Sequence, residues 1–301
     1  MLHVVYWDFV ELLANDPTME TVYLQYRSPC ETIEYPLQEA RKLLTFSEFS
    51  NGRSTVVYVP GWSVESPSEM LYSVAKAFHC RGDYNLLIFN PDKFLLKTYY
   101  ISAYHKTMLG EYLAVALRNM YIDPNRLHLI GHSLGAHIVG FAGRHYRHLT
   151  NCTIERITGL DPARPCFAVN SIFPRISVGD AGFVDIIHFD PDNFGIKEPI
   201  GDVDFYPFGM DAIFVCVHQP ANCRHLLSFD YFLETVHNQN TTKFVSYVCR
   251  SLLDMENHDC WSKSEALMGF EASTKYKGIF YVDINGPSNS PNSNKCGECS
   301  K

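Results

Sequence analysis

The chain has 301 residues, 46% of them hydrophobic and 19% charged, with a formal net charge of −8. That length can bury a large core, in one big α/β domain or two smaller ones. The acidic balance argues against a nucleic-acid surface and against strong attraction to anionic membranes, and no apolar run reaches the length of a membrane span.

The ten cysteines suit an oxidising compartment. Asn151-Cys152-Thr153 and Asn240-Thr241-Thr242 are glycosylation sequons that point the same way. Met1 to Ala14 carries Asp8 and Glu11 and has neither a basic lead nor a small-residue cleavage site, so it does not read as a signal peptide. The expectation is a secreted, extracellular protein whose signal is not in this sequence, with a cytosolic protein carrying reduced thiols as the alternative.

Val4 to Leu13 is compatible with a helix or a strand, and Thr21 to Tyr26 alternates β-formers as a strand does. Ser54 to Val59 reads as a short buried strand running into Pro60-Gly61-Trp62. Glu69 to Cys80 has helical spacing, Asn85 to Phe89 is an apolar strand, and Met108 to Met120 is an amphipathic helix. Asp123-Pro124-Asn125 turns the chain into Leu127 to Ile130, a strand followed by Gly131-His132-Ser133-Leu134-Gly135 and a helical run from Ala136 to Arg147. Next come a strand from Ile154 to Leu160 ending in Asp161-Pro162 and another from Phe183 to His188. A Pro/Gly/Asp-rich loop leads to Gly201, a helix spans Leu226 to Val236, and a last strand spans Gly278 to Val282. Strands alternating with helices predict an α/β fold: a mostly parallel central sheet with helices on both faces. From Asn285 the chain turns polar and reads as a flexible tail.

The strand–turn–helix around Ser133 gives the G-x-S-x-G pattern its meaning. A serine on a sharp turn needs glycines beside it, because close helix–strand packing leaves no room for a Cβ. The turn lifts the hydroxyl above the sheet, and the helix N-terminus behind it favours developing negative charge. Ser133 is therefore the candidate nucleophile. It needs a histidine to take its proton and an acid to fix that histidine's tautomer. Asp161 is placed for the acid, directly after a strand, whereas Asp180 precedes a strand and Asp185 lies within one. Among the later histidines (188, 218, 225, 237 and 258), the chemistry alone leaves His188 and His225 open.

Three blocks resemble the pancreatic-lipase family of the α/β-hydrolase (AB hydrolase) superfamily. They are Gly131-His-Ser-Leu-Gly-Ala-His-Ile-Val-Gly-Phe-Ala-Gly143, Ile157-Thr-Gly-Leu-Asp-Pro-Ala-Arg-Pro-Cys-Phe167 and Asp202-Val-Asp-Phe-Tyr-Pro207. The match runs from about Tyr23 to Val282. It implies Ser133, Asp161 and His225 as the triad and gives His188 a structural role. The backbone N–H groups of Leu134 and Trp62 become the oxyanion hole. Cys216 and Cys223 become the disulfide of a short lid, which resembles the phospholipase A1 branch; Cys249 and Cys260 look like a second loop-closing pair. The resemblance implies an α/β-hydrolase catalytic domain over residues 1–285, a tail over 286–301 and no C-terminal β-sandwich, hence no colipase-type partner. It implies hydrolysis of a phospholipid sn-1 ester, at a membrane, micelle or lipoprotein surface. Triglyceride hydrolysis and a catalytically silent lipid-binding role are the alternatives. No cofactor and no metal are called for, and Cys296-Gly-Glu-Cys299 is too isolated to suggest one.

The chain departs from the family's pattern around the triad. Pro60 stands where a histidine is usual, Asn90-Pro91 where Asp-Trp is usual, Leu227 where an arginine is usual, and Phe208-Gly209-Met210 where Asn-Gly-Gly is usual. An intact triad in an altered setting implies activity that is low or unusually selective.

Overall fold

The structure, a computed structural model, describes residues 17–28, 31–66, 68–191, 193–209, 216, 222–237, 243–260 and 262–284. The readings for residues 4–13, the Asn240 sequon, Cys30, the Cys296–Cys299 pair and the tail fall outside them.

Among the described residues one eleven-stranded sheet organises the chain, in the order β10-β9-β11-β8-β7-β6-β5-β3-β4-β1-β2. Its centre is parallel. The strands there are β3 (Ser54–Val59), β4 (Tyr84–Asn90), β5 (Leu127–His132), β6 (Arg156–Leu160), β7 (Phe183–Ile187), β8 (Val203–Pro207) and β11 (Gly278–Ile284). Both ends are antiparallel, with β1 (Tyr23–Arg27) and β2 (Thr32–Pro36) at one and β9 (Phe244–Cys249) and β10 (Ser262–Ser264) at the other. Antiparallel edge strands need no long crossover helix to announce them. Alternation predicts β1, whereas β2, β9 and β10 enter only with the structure.

Two apolar cores flank the sheet, because successive strand residues point to opposite faces. Val57, Val59, Leu87 and Leu129 pack under α2 (Tyr99–Met120) and α3 (Leu134–Thr150), with Leu113, Leu117, Ile138 and Val139 as their contacts. Val56, Tyr58, Ile88 and Ile130 pack under α1 (Glu69–Arg81) and α4 (Cys223–His237), against Val74, Phe78, Phe229 and Phe232. Strands buried on both faces read as near-continuous apolar runs, and that made the central ones legible.

The helix expected over Met108–Met120 begins nine residues earlier, at Tyr99. Its first turns bury Ser102, His105 and Lys106 while exposing Tyr100 and Tyr104. That inverts the apolar periodicity on which the expectation rested. Ser102 Oγ satisfies itself by donating to the Phe94 carbonyl at 2.6 Å. Strand β8 escaped periodicity for a similar reason. Asp204, its second residue, is buried, accepting from the N–H groups of Ile200 and Gly201 and lying 2.9 Å from His188 Nε2.

Candidate active site

The turn from β5 into α3 places Ser133 at φ 55°, ψ −118°, a strained backbone for any residue with a Cβ. Three hydrogen bonds hold it there. The Ser133 N–H donates to the Leu160 carbonyl at 2.9 Å, and its own carbonyl accepts from Ala136 and Ala163 at 3.1 and 3.2 Å. A Cβ on Gly135 would collide with the carbonyls of Val59 and Pro60, and one on Gly131 with the backbone of Gly135. The two glycines let strand, turn and helix close on one another, and the serine hydroxyl is the group left at the top.

Asp161 follows β6 immediately, at φ 43° and fully buried. Its Oδ1 accepts from the N–H groups of Phe189 and Asp190 at 2.8 and 3.1 Å, which fixes the carboxylate plane. Its Oδ2 accepts from His225 Nδ1 at 2.6 Å. That bond leaves His225 Nε2 as the acceptor for the Ser133 hydroxyl, 2.7 Å away. His225 itself stands in the first turn of α4, where Ser228 Oγ donates to its carbonyl at 2.8 Å. The structure thus brings Ser133, Asp161 and His225 into one relay. It sends His188 elsewhere, into a buried pair with Asp204.

Both expected oxyanion donors border the serine. Leu134 is the first residue of α3, whose N–H has no intrahelical acceptor. Gly61 lies so close that a Cβ there would sit 2.9 Å from Ser133 Cβ, and Trp62 follows it. The Trp62 indole anchors the loop, donating from Nε1 to the Lys97 carbonyl at 2.7 Å and meeting the Tyr99 ring edge-on at 5.6 Å. Pro60 leaves both backbone donors in place.

A cavity of about 610 Å³ opens over the relay, lined mostly by apolar side chains, Trp62, Val64, Tyr99, Phe194 and Leu226 among them. Cys216 and Cys223 are disulfide-bonded with Cα atoms 6.0 Å apart, at the mouth of α4. Residues 217–221 of the loop they close fall outside the described residues. Cys249 and Cys260 are bonded as well, while Cys152 and Cys166 are free thiols.

Three neighbours of the relay were not foreseen. His132 is buried beside His225, with ring centroids 4.9 Å apart, and its Nε2 donates to the His225 carbonyl at 3.3 Å. Burial, with His225 as the next cause, pushes its pKa down to about 3, so it stays neutral at every working pH. Phe194 reaches the cavity from the loop after β7 and lies 5.8 Å from the His225 ring. Asp190, in the same loop, is buried against Arg224. His132 had a signal, since it is the variable residue of G-x-S-x-G. The other two carry no motif.

A family model described as lipase matches residues 14–281. Lipase member H of Oryctolagus cuniculus is 34% identical over 230 residues, covering 72% of this chain and 49% of the relative. Pancreatic triacylglycerol lipase of Equus caballus is 29% identical, covering 81% and 59% respectively. Lipoprotein lipase of Sus scrofa is 31% identical, covering 78% and 55%. The chain therefore spans about half the length of these curated relatives. Matched over most of its length and carrying the relay on an α/β-hydrolase sheet, the chain belongs to the lipase family.

Proposed function

We propose that this chain is a secreted serine carboxylester hydrolase acting on lipid, with glycerophospholipid as substrate and the sn-1 acyl ester as the bond cleaved. The observation that carries the reading is the Ser133–His225–Asp161 relay, bonded at 2.7 and 2.6 Å beneath an apolar cavity. In this reading Ser133 Oγ attacks the ester carbonyl while His225 Nε2 takes its proton. Asp161 stabilises the imidazolium that forms, and the Trp62 and Leu134 N–H groups receive the oxyanion. The imidazolium then protonates the departing glycerol oxygen. A water activated by the same histidine releases the fatty acid from Ser133.

The apolar lining supports an acyl chain in the cavity. Only six residues separate Cys216 from Cys223, too short a span to cover a wide mouth, which favours a substrate with a charged head group. The disulfides and the exposed Asn151 sequon support secretion. The triacylglycerol lipases among the relatives supply the second reading, triglyceride hydrolysis.

The test is a direct comparison of phosphatidylcholine, triolein and p-nitrophenyl butyrate with the wild type and Ser133→Ala. Phospholipid should release its sn-1 fatty acid at least as fast as triolein does, and Ser133→Ala should abolish both. A strong preference for triolein moves the chain to the second reading. Retention of turnover in Ser133→Ala, or no turnover of any ester by the wild type, removes the hydrolase reading.

A further inference from the structure

Asp190 lies in the loop after β7, shut off from solvent. Its groups reach three parts of the site. Its N–H donates to Asp161 Oδ1 at 3.1 Å. Its Oδ2 accepts from Asn193 Nδ2 at 2.9 Å and from the Phe194 N–H at 3.2 Å, shaping the turn that brings Phe194 to the cavity. Its Oδ1 lies 2.7 Å from the guanidinium of Arg224, the residue directly before His225. The turn also presses Gly195 against Asp161, where a Cβ would collide with the carboxylate. One buried side chain thus joins the segment that grips the acid to the helix that carries the base.

A buried ion pair is a poor source of stability, because desolvating both charges offsets their attraction. What it does supply is geometry, since one contact fixes where two segments of the chain meet. Burial holds the Asp190 carboxyl above the usual carboxylate range and Arg224 pulls it back, while Asp161 adds to the upward push. The Arg224 guanidinium, 2.7 Å from Asp190 Oδ1, is the charge that meets this loop from α4.

We infer that the Asp190–Arg224 ion pair is a positioning clamp that holds the Asp161 loop and the His225 helix in register. The inference rests on the triad reading proposed above. Neither residue touches the reacting atoms. Losing the clamp therefore misplaces His225 relative to Ser133 and Asp161 without emptying the acyl cavity.

The experiment compares Asp190→Asn, Arg224→Gln and the double variant Asp190→Asn/Arg224→Met in the full chain. Three quantities are read: kcat and KM on p-nitrophenyl butyrate, the melting temperature, and the low-field proton resonance of the His225 Nδ1–H bonded to Asp161. Each single variant is expected to lose about 100-fold in kcat, the size a misplacement of about 1 Å produces, with KM little changed. The resonance should weaken in both. The double variant, which strands no charge, should melt with the wild type and lose no more kcat than the worse single variant. It carries the test if a single variant does not fold. Wild-type kcat and an unchanged resonance in the double variant would overturn the clamp, as would additive losses from the two single changes. The resonance needs no turnover. If it responds as stated in a chain that cleaves no ester, the clamp stands and the hydrolase reading falls. If Ser133-dependent turnover persists undiminished in the variants, the clamp falls and the hydrolase reading stands.

Discussion

His188 Nε2 lies 2.9 Å from Asp204 Oδ1, and both side chains are cut off from solvent. The other ring nitrogen of His188 faces the Ile196 carbonyl at 2.7 Å, and the ring stacks on Tyr206 at 4.3 Å, almost parallel. With both nitrogens engaged, this histidine has no atom left to take a proton from Ser133. The pair joins β7 to β8 and ties down the loop between them.

The structural role read for His188 and the catalytic role proposed for His225 should separate cleanly on mutation. His188→Ala takes one partner from the buried Asp204 carboxylate, which keeps the Ile200 and Gly201 N–H groups, and leaves a cavity beside Tyr206, so it should destabilise the fold by about 1–3 kcal/mol, while the folded fraction keeps its turnover. His225→Ala should leave the melting temperature near wild type and cost several orders of magnitude in kcat, since triad members act as a unit. Thermal unfolding beside kcat settles it; the reverse pattern would exchange the two roles.

The oxyanion loop makes a second separation. The proposed donor at position 62 is a backbone N–H, so Trp62→Phe removes the indole bond to the Lys97 carbonyl and leaves a smaller ring beside Tyr99. That should cost less than about tenfold in kcat, because the Trp62 N–H stays where it is. Gly61→Ala instead drives a methyl against Ser133 Cβ and moves the donor itself. Its loss should reach about 10²–10³ in kcat, the size of one oxyanion donor. Equal effects from the two substitutions would count against Trp62 as a donor.

Lys106 gives a prediction about pH and stability. Its ammonium is buried, about 5 Å from the ring centres of Phe141, Phe167 and Phe173, and burial pushes its pKa down to about 8. Between pH 8 and the ordinary lysine value of about 10.5 the unfolded chain binds the proton and the folded chain does not. Stability therefore rises with pH across that window, and below it the folded state carries the full cost of a buried charge. Lys106→Met should raise the melting temperature at pH 7, and its advantage should shrink as pH approaches 10. The rings offset part of the cost through cation–π attraction. A constant difference from pH 7 to 10 would mean the ammonium is not the cause.

The Cys216–Cys223 loop predicts how rate depends on substrate aggregation. On the short-lid reading proposed above, hydrolysis should show no sharp rise when a short-chain phospholipid passes from monomers to micelles, because six residues are too few to form a lid that must move first. Rates measured across that transition decide the matter. A steep jump would implicate another covering segment, and the loop bearing Phe194 borders the cavity.

Some features were legible because they follow from local rules. The Ser133 turn needed Gly131 and Gly135, and the packing of Gly135 on the Val59 and Pro60 carbonyls shows why no larger residue serves. The alternating strands and helices, and an acid directly after a strand, also follow from short-range pattern. The two-face burial of Val56 to Val59 made the parallel core readable as apolar runs.

Other features depend on residues far apart in sequence that meet only when the sheet closes. His188 and His225 are each followed by apolar residues and near charged ones, so chemistry alone could not choose between them. Position did: β7 delivers His188 to Asp204, whereas α4 carries His225 over the carboxyl ends of the strands, to Ser133. The early start of α2 was hidden because its buried face carries Ser102, His105 and Lys106, which break the helical pattern. Nothing local marks Asp190 or Arg224 either. Their meeting is decided by where the loop after β7 and the start of α4 converge, because an ion pair is specified by distance in space and carries no period along the chain.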